Sequence, residues 1–251
     1  MLKKYQNYYD IIHGDKDYAG ETESLIKAIK KYSVFQPINI LSLGCGTCGH
    51  EVILAGRGYN IKGIDYSKIM LGCASRKAKE SNVKISFRLG DIRNFSFSGK
   101  FDAVISMYNV LCDISGLPDL EKTFKCVRKA LKKNGIFIFD CLYGPAILKN
   151  KPEKRVKVIN FNGRKFIQKR SSKLDIKHSM TDTLFEVFEI LGGDKKKITE
   201  KKHKVRFWYF SELEYLLHKT GFKIVKTGDS IDFKKDISEN NWDMFFVAQK
   251  I

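Results

Sequence analysis

From Ile40 onward, apolar residues come in short dense runs separated by amphipathic stretches. Ile40-Leu41-Ser42-Leu43, Asn60-Ile61-Lys62-Gly63-Ile64-Asp65 and Lys84-Ile85-Ser86-Phe87-Arg88-Leu89 read as strands, as do Phe101 to Met107 and Ile136 to Asp140. The apolar density of Phe101 to Met107 is that of a strand covered on both faces. Before and between these runs the spacing is helical. Glu21 to Tyr32 places Leu25, Ile26 and Ile29 on one stripe. Ser67 is predicted to cap a helix with Met70, Leu71, Ala74 and Ala78 inward. Asp119 is predicted to cap another, with Leu120, Phe124, Val127 and Leu131 aligned and a stop near Gly135. This alternation predicts a mostly parallel α/β sheet with helices on both sides.

The pattern breaks at Pro145. Asn162-Gly163 is a hairpin signal and Gly192-Gly193-Asp194 marks a second reversal, with Asp182 to Leu191 and Ile198 to Phe207 as strands around it. Lys154 to Phe207 is therefore expected to form an antiparallel sheet of about four strands. The earlier pattern then resumes. Ser211-Glu212-Leu213-Glu214 reads as a capping box, Gly221 as a helix stop, and Phe222 to Val225 and Trp242 to Ala248 as final strands. The expected organisation is a core of residues 1–153 and 208–251, interrupted by a sheet at 154–207.

The first strand runs directly into Gly44-Cys45-Gly46-Thr47-Cys48-Gly49-His50. Gly44 and Gly46 sit where a strand must turn sharply into a helix and leave backbone bare beside a ligand. A glycine pair alone also marks ordinary turns. Asp65 ends the next strand about 20 residues later, the spacing that brings a carboxylate to a ribose diol on the neighbouring strand. Together they predict a nucleoside cofactor on a doubly wound sheet.

Composition narrows the setting. The chain has 251 residues and a formal net charge of +18, with more than half of the surplus between Lys151 and Arg206. Such a balance suits solubility, an anionic small substrate or nucleic acid. Cys45, Cys48, Cys73, Cys112, Cys126 and Cys141 have no framework spacing. The single C-x-x-C, Cys45 to Cys48, has no partner pair, so no metal site is expected. Met1 to Asn7 carry no leader-like apolar run and no stretch approaches the ~20 apolar residues of a membrane span, so a cytoplasmic enzyme is expected.

With these residues in place the chain resembles the class I S-adenosylmethionine-dependent methyltransferases, closely over Leu41 to Leu142 and in outline over Ser211 to Lys250. The resemblance implies a Rossmann-like, doubly wound, mostly parallel seven-stranded sheet whose last strand is antiparallel, with S-adenosyl-L-methionine as cofactor. Gly44, Cys45 and Gly46 fall on the family's glycine motif, Asp65 on its ribose-binding acid with Tyr66 and Met70 beyond, and Gly90-Asp91-Ile92 on its adenine-flanking turn. Met107-Tyr108-Asn109 falls on the loop facing the methionine half and the acceptor, which places Met107 and Asn109 at the cofactor. The chain departs at Ser42, where the family carries Asp or Glu, and at Cys48, where it carries a third glycine.

Tyr9 to His13, Tyr18 and the His203-Lys204-Val205-Arg206 run resemble small bacterial sugar methyltransferases, including enzymes that dimethylate nucleotide-linked amino sugars and relatives from capsule and lipopolysaccharide clusters. That likeness implies cofactor contact at Tyr18, and a nucleotide sugar or glycan precursor as acceptor for a monomer or homodimer. Asp113 stands where that acceptor loop often bears His or Tyr.

Methyl transfer from a sulfonium depends largely on alignment. Asp113 is the candidate catalytic residue, taking a proton or orienting the nucleophile, with a turn-capping aspartate as the alternative. Tyr9 is a candidate pocket wall, with ordinary packing as its alternative. His178 and His203 lie in the inserted sheet and are assigned no catalytic role. An RNA methyltransferase would also explain the charge, but no Asn/Asp-Pro-Pro-aromatic motif is present. A non-catalytic partner subunit of the same fold is the remaining alternative, and the intact glycines and Asp65 argue against it.

Overall fold

The computed structural model describes residues 5–34, 36–97 and 100–251; the expectation for Met1 to Asn7 falls partly on Met1 to Lys4, which lie outside the described residues. A short 3-10 turn at Tyr5–Tyr8 leads into α1 (Tyr9–Ile12) and α2 (Tyr18–Tyr32). Then come β1 (Asn39–Leu43), α3 (Gly49–Gly56), β2 (Asn60–Asp65), α4 (Lys68–Glu80), β3 (Ile85–Leu89) and β4 (Phe101–Ser106). A second 3-10 turn, Val110–Asp113, precedes α5 (Leu117–Ala130), β5 (Leu131–Leu142) and α6 (Gly144–Lys149). The strands β6 (Arg155–Phe161), β7 (Arg164–Asp175), β8 (Met180–Leu191) and β9 (Asp194–Arg206) follow without helices between them. The chain ends with α7 (Phe210–Lys219), β10 (Phe222–Gly228) and β11 (Asp243–Lys250).

Seven strands form one sheet in the order β10-β11-β5-β4-β1-β2-β3. The five from β1 to β5 pair in parallel, and β11 runs antiparallel to both neighbours, as the resemblance implied. The dense apolar runs are explained by burial on both faces. Along β5, Phe137 and Phe139 point into a core with Phe124, Leu213, Leu217 and Phe246. Their neighbours Ile136 and Ile138 point into the opposite core with Leu25, Ile29, Leu54 and Ile105. Phe139 and Phe246 stack across the β5–β11 pair with centroids 5.0 Å apart.

The second sheet is antiparallel, in the order β6-β7-β8-β9. Asn162 and Gly163 both take positive φ, 47° and 72°, as a two-residue reversed turn requires. Gly192 and Gly193 do the same at the β8–β9 turn. Between β7 and β8 lies a reversal with no glycine, in which Ser179 has φ 56° and Asp175 accepts from the backbone and ring of His178.

Several element ends differ from expectation. α5 begins at Leu117 behind Gly116, because Pro118 in the first turn presets helical φ; Asp119 lies inside that turn and binds Lys122 and Arg93. The helix stops at Ala130 because Leu131 is already extended and pairs with Phe101. Gly135 sits within β5, where a Cβ would lie 3.0 Å from Leu131 Cδ2 and 3.1 Å from Asp102 O. α7 begins two residues earlier than the Ser211 expectation. Its N-cap is Tyr209, whose N–H donates to Glu212 at 3.0 Å, and Glu212 is itself fixed by Arg206 at 2.7 Å. α2 starts at Tyr18, capped by Asp17 through the Gly20 N–H at 2.8 Å. Pro145 lies in the first turn of α6, after which the strands β6 to β9 follow one another without helices. All six cysteines are free, and the described residues contain no cluster suited to a metal ion. No helix of the described residues is long and apolar enough to cross a membrane.

Candidate active site

The tips of β1 and β2 are joined by Asp65. Its carboxylate accepts the Gly46 N–H at 2.9 Å and the Ser67 N–H at 2.8 Å, and Ser67 in turn caps α4 through the Met70 N–H at 3.3 Å. Burial holds the Asp65 carboxyl above its ordinary range despite those two donors. A carboxylate has about four acceptor positions, so two remain for hydroxyl groups at the mouth of the turn. Gly44 and Gly46 take φ of 64° and 54°. A Cβ on Gly46 would meet the flexible Met70 Cε at 3.4 Å and Gly44 O at 4.0 Å, with nothing closer, which leaves the turn's outer side bare. These residues fit the adenosine half of S-adenosylmethionine: a diol acceptor beside unobstructed backbone.

The two departures are accommodated locally. Ser42 donates to the buried Glu51 Oε1 at 2.6 Å, so a carboxylate returns to the base of the turn from the first turn of α3. Cys48 itself adopts φ 67° as the residue preceding α3, a left-handed conformation that is costly for a non-glycine residue. Space explains the neighbouring Gly49, since a Cβ there would fall 2.2 Å from Tyr18 Cε1. Tyr18 thus lies directly against the start of α3, edge-on to His50 at 5.0 Å. Cys45 is buried against Gly63, where a Cβ would approach its Sγ to 2.6 Å.

The loop after β4 carries an unusual conformation. Tyr108 and Asn109 are consecutive left-handed residues, φ 71° and 60°. Asp140, at the end of β5, accepts both of their N–H groups, at 3.0 and 2.9 Å, while the Asn109 side chain donates to Asp243 at 2.9 Å. Burial, with the nearby Asp243 charge, pushes Asp140 up to about 7. Met107 is buried in the α2-side core. Lys16 lies 3.6 Å from the Tyr108 ring centroid, and the Tyr108 hydroxyl meets His13 Nδ1 at 3.1 Å. Desolvation by burial, helped by the Lys157 and Lys16 charges, lowers His13 to about 4.

Asp113 ends the 3-10 turn after this loop. Its Oδ1 lies 2.6 Å from His203 Nε2 on β9, and Arg206 reaches the same region through Ser115 O at 2.9 Å. The structure therefore joins Asp113 to a histidine that sequence reasoning left without a role. Tyr9 lies against His13 with centroids 4.4 Å apart and the rings tilted by 45°, and it packs with Tyr5, Tyr8 and Ile12 against Phe166 and Val187 of the second sheet. Its neighbour Asp10 accepts from Thr47 at 2.6 Å and Lys77 at 2.9 Å. The N-terminal segment is thereby tied both to the glycine turn and to the second sheet.

The Gly90-Asp91 turn lies beside Asp65, whose carbonyl accepts the Gly90 N–H at 3.0 Å. Asp91 is engaged by Arg93, whose Nε donates at 3.0 Å and whose N–H donates at 2.8 Å. They line a cleft of about 560 Å³ with Asn94 and Asp119. Ile92 packs against the α5-side core, and Tyr66 is 70% exposed. A second cleft of about 640 Å³ lies along the outer edge between α4 and β3, away from the glycine turn.

Residues 40–135 match the family described as a methyltransferase domain. The Bacillus subtilis (strain 168) protein named "Putative methyltransferase YqeM" is 30% identical over 217 residues, 84% of this chain and 83% of that protein. This chain is a methyltransferase. It belongs to the class I family, whose cofactor is S-adenosylmethionine. The dTDP-3-amino-3,6-dideoxy-alpha-D-glucopyranose N,N-dimethyltransferase of Streptomyces fradiae is 26% identical over 139 residues, 55% of this chain and 52% of that enzyme. In fold, the methyltransferase matches Streptomyces venezuelae DesVI with a TM-score of 0.80 or better: the value is 0.84, at 17% identity, with all of each chain covered.

Proposed function

We propose that this methyltransferase transfers a methyl group from S-adenosylmethionine to a small anionic acceptor, a nucleotide-linked sugar or a related glycan precursor. The observation that carries this reading is the 2.6 Å contact between Asp113 and His203, made where the second sheet meets the cofactor end of the first. The bound cofactor supplies an activated methyl on its sulfonium. The chain's task is to align a nucleophile with that carbon and to receive the proton it releases. An ionised carboxylate accepts hydrogen bonds only, so His203 Nε2 carries a proton toward Asp113 and Nδ1 is left as the proton acceptor. Asp113 is then the positioning partner and His203 the base. Tyr9, Tyr18 and Tyr108 wall the space beneath, and the N-terminal segment limits water access. The sugar methyltransferase from Streptomyces fradiae supports an amino sugar among the acceptors.

The test is release of S-adenosylhomocysteine with a panel of amino and neutral nucleotide sugars, set against RNA. Turnover on a nucleotide sugar is expected. His203→Ala and Asp113→Asn are expected to lower kcat by about 100-fold, at the lower end of general-base contributions, with cofactor affinity unchanged. Turnover on RNA alone would replace this reading, and wild-type kcat in both variants would remove the pair from the reaction.

A further inference from the structure

The register of the second sheet sets four residues in one cross-strand row: Arg155 opposite Arg170, Arg170 opposite Phe185, and Phe185 opposite Lys201. Residues on one face of a strand alternate, so this row shares its face with Gln168, which donates to Tyr5 under the N-terminal segment. The row therefore looks toward the site rather than outward. Like charges directly opposite one another destabilise an antiparallel pair. The arrangement is costlier still at Arg170, whose Nε and Nη2 are buried without a hydrogen-bond partner among the described residues. A buried charged donor left unpaired is a strong liability in a folded chain.

Two further observations give the row a direction. The guanidinium groups of Arg155 and Arg170 both approach the Trp242 ring, at 5.9 and 6.0 Å from its centroid. The indole face holds two forks side by side without neutralising them. At the inner end, Lys201 lies over the Tyr5 ring at 5.8 Å, and the charges of Asp113 and Asp65 reach it. The row thus runs from an aromatic-backed arginine pair to the catalytic contact.

We propose that Arg155 and Arg170, backed by Trp242, are the docking site for the diphosphate of the acceptor, and that Lys201 guides its sugar end toward Asp113 and His203. Planar guanidinium forks match phosphate oxygens in pairs, which would satisfy the orphaned Arg170 donors and offset the repulsion from Arg155. This assignment rests on the methyltransferase reading above and names the part of the acceptor that the second sheet binds.

Calorimetric titration of the full chain with inorganic pyrophosphate, with UDP-glucose and separately with S-adenosylmethionine tests it. Pyrophosphate and the nucleotide sugar are expected to bind, more weakly as salt rises. Arg155→Gln and Arg170→Gln are each expected to weaken both ligands at least about tenfold while leaving cofactor affinity unchanged. Arg170→Lys, which keeps charge but loses the fork, should fall between. Without ligand, Arg170→Gln should melt no lower than wild type, because it removes a like-charge contact; a merely structural arginine would predict the reverse. Wild-type pyrophosphate affinity in Arg170→Gln overturns the assignment, as does the absence of diphosphate binding to a wild-type chain that binds cofactor. Arginine-dependent binding of single-stranded RNA in place of the nucleotide sugar also overturns it. Failure to bind S-adenosylmethionine would instead sink the methyltransferase reading itself.

Discussion

Replacing Gly44 by alanine tests how the cofactor turn and the acceptor loop are coupled. Gly44 has φ 64°, and a Cβ there would lie 2.4 and 2.7 Å from the two Cγ atoms of Val110, the first residue of the 3-10 turn that carries Asp113. The left-handed backbone costs an L-residue about 1–2 kcal/mol. Val110 is β-branched and stiff, so making room for the methyl adds an overpacking cost of about 1–3 kcal/mol. Gly46→Ala is the natural control. Its φ is 54°, but its Cβ would meet nothing closer than the flexible Met70 Cε at 3.4 Å, so it should carry the backbone cost alone. Urea unfolding of wild type, Gly44→Ala, Gly46→Ala, Val110→Ala and the Gly44→Ala/Val110→Ala double variant separates these contributions. Gly44→Ala should be the less stable of the two glycine variants by about 1–3 kcal/mol, roughly 2–4 °C in Tm for each kcal/mol at this chain length. Val110→Ala should restore most of that difference in the double variant, a coupling of the same size. Turnover should follow, because displacement of Val110 moves the turn bearing Asp113. Equal costs for the two glycine variants, or additive effects at 44 and 110, would refute the coupling.

Asp65→Ala should raise the dissociation constant for S-adenosylmethionine at least about tenfold, since it deletes a charged acceptor at the ribose position; unchanged calorimetric affinity would count against that placement. Asp140 gives a pH signature. Its folded value is about 7 against an ordinary 3.8, so the folded chain keeps a proton that the unfolded chain has lost between those values. Its contribution is therefore fully present below about 4 and declines as pH rises toward about 7, with a slope of at most about 1.4 kcal/mol per unit. Asp140→Asn should lose that slope, and parallel urea midpoints for the two proteins between pH 5 and 8 would show that another group titrates.

The parallel core was legible because burial on both faces writes dense apolar runs, and the hairpins because Asn162-Gly163 and Gly192-Gly193 need positive φ. Helix ends were less so. Asp119 and Ser211 are both good capping residues, yet Pro118 and the Arg206–Glu212 pair move the starts elsewhere. The β7–β8 reversal turns without Gly or Pro, so no local signal marks it. In the site, the glycine turn and Asp65 were readable because their spacing is short and fixed. The contacts of Asp113 with His203 and of Arg155 with Arg170 depend on register across distant segments, and no pattern in one sequence reports register between them.

Strain gives a route to the site that does not depend on similarity. Among the described non-glycine residues with positive φ, Asn82, Asn109, Asn134 and Asn162 are of a type that tolerates that region, and Ser179 sits in a hairpin reversal. Cys48, Tyr108 and Phe233 are not of that type. Phe233, at φ 54° between β10 and β11, packs into the core beneath α2. Cys48 opens the helix after the glycine turn, and Tyr108 opens the loop that leads to Asp113. Asp140 holds Tyr108 and Asn109 in place at the expense of its own buried charge, and Arg155 faces Arg170 across β6 and β7. Cys48, Tyr108, Asp140 and the Arg155–Arg170 pair each break a local rule. They lie at the cofactor turn, the loop above it and the sheet face beyond, which is where a chain must hold backbone and charge ready for groups it does not itself contain.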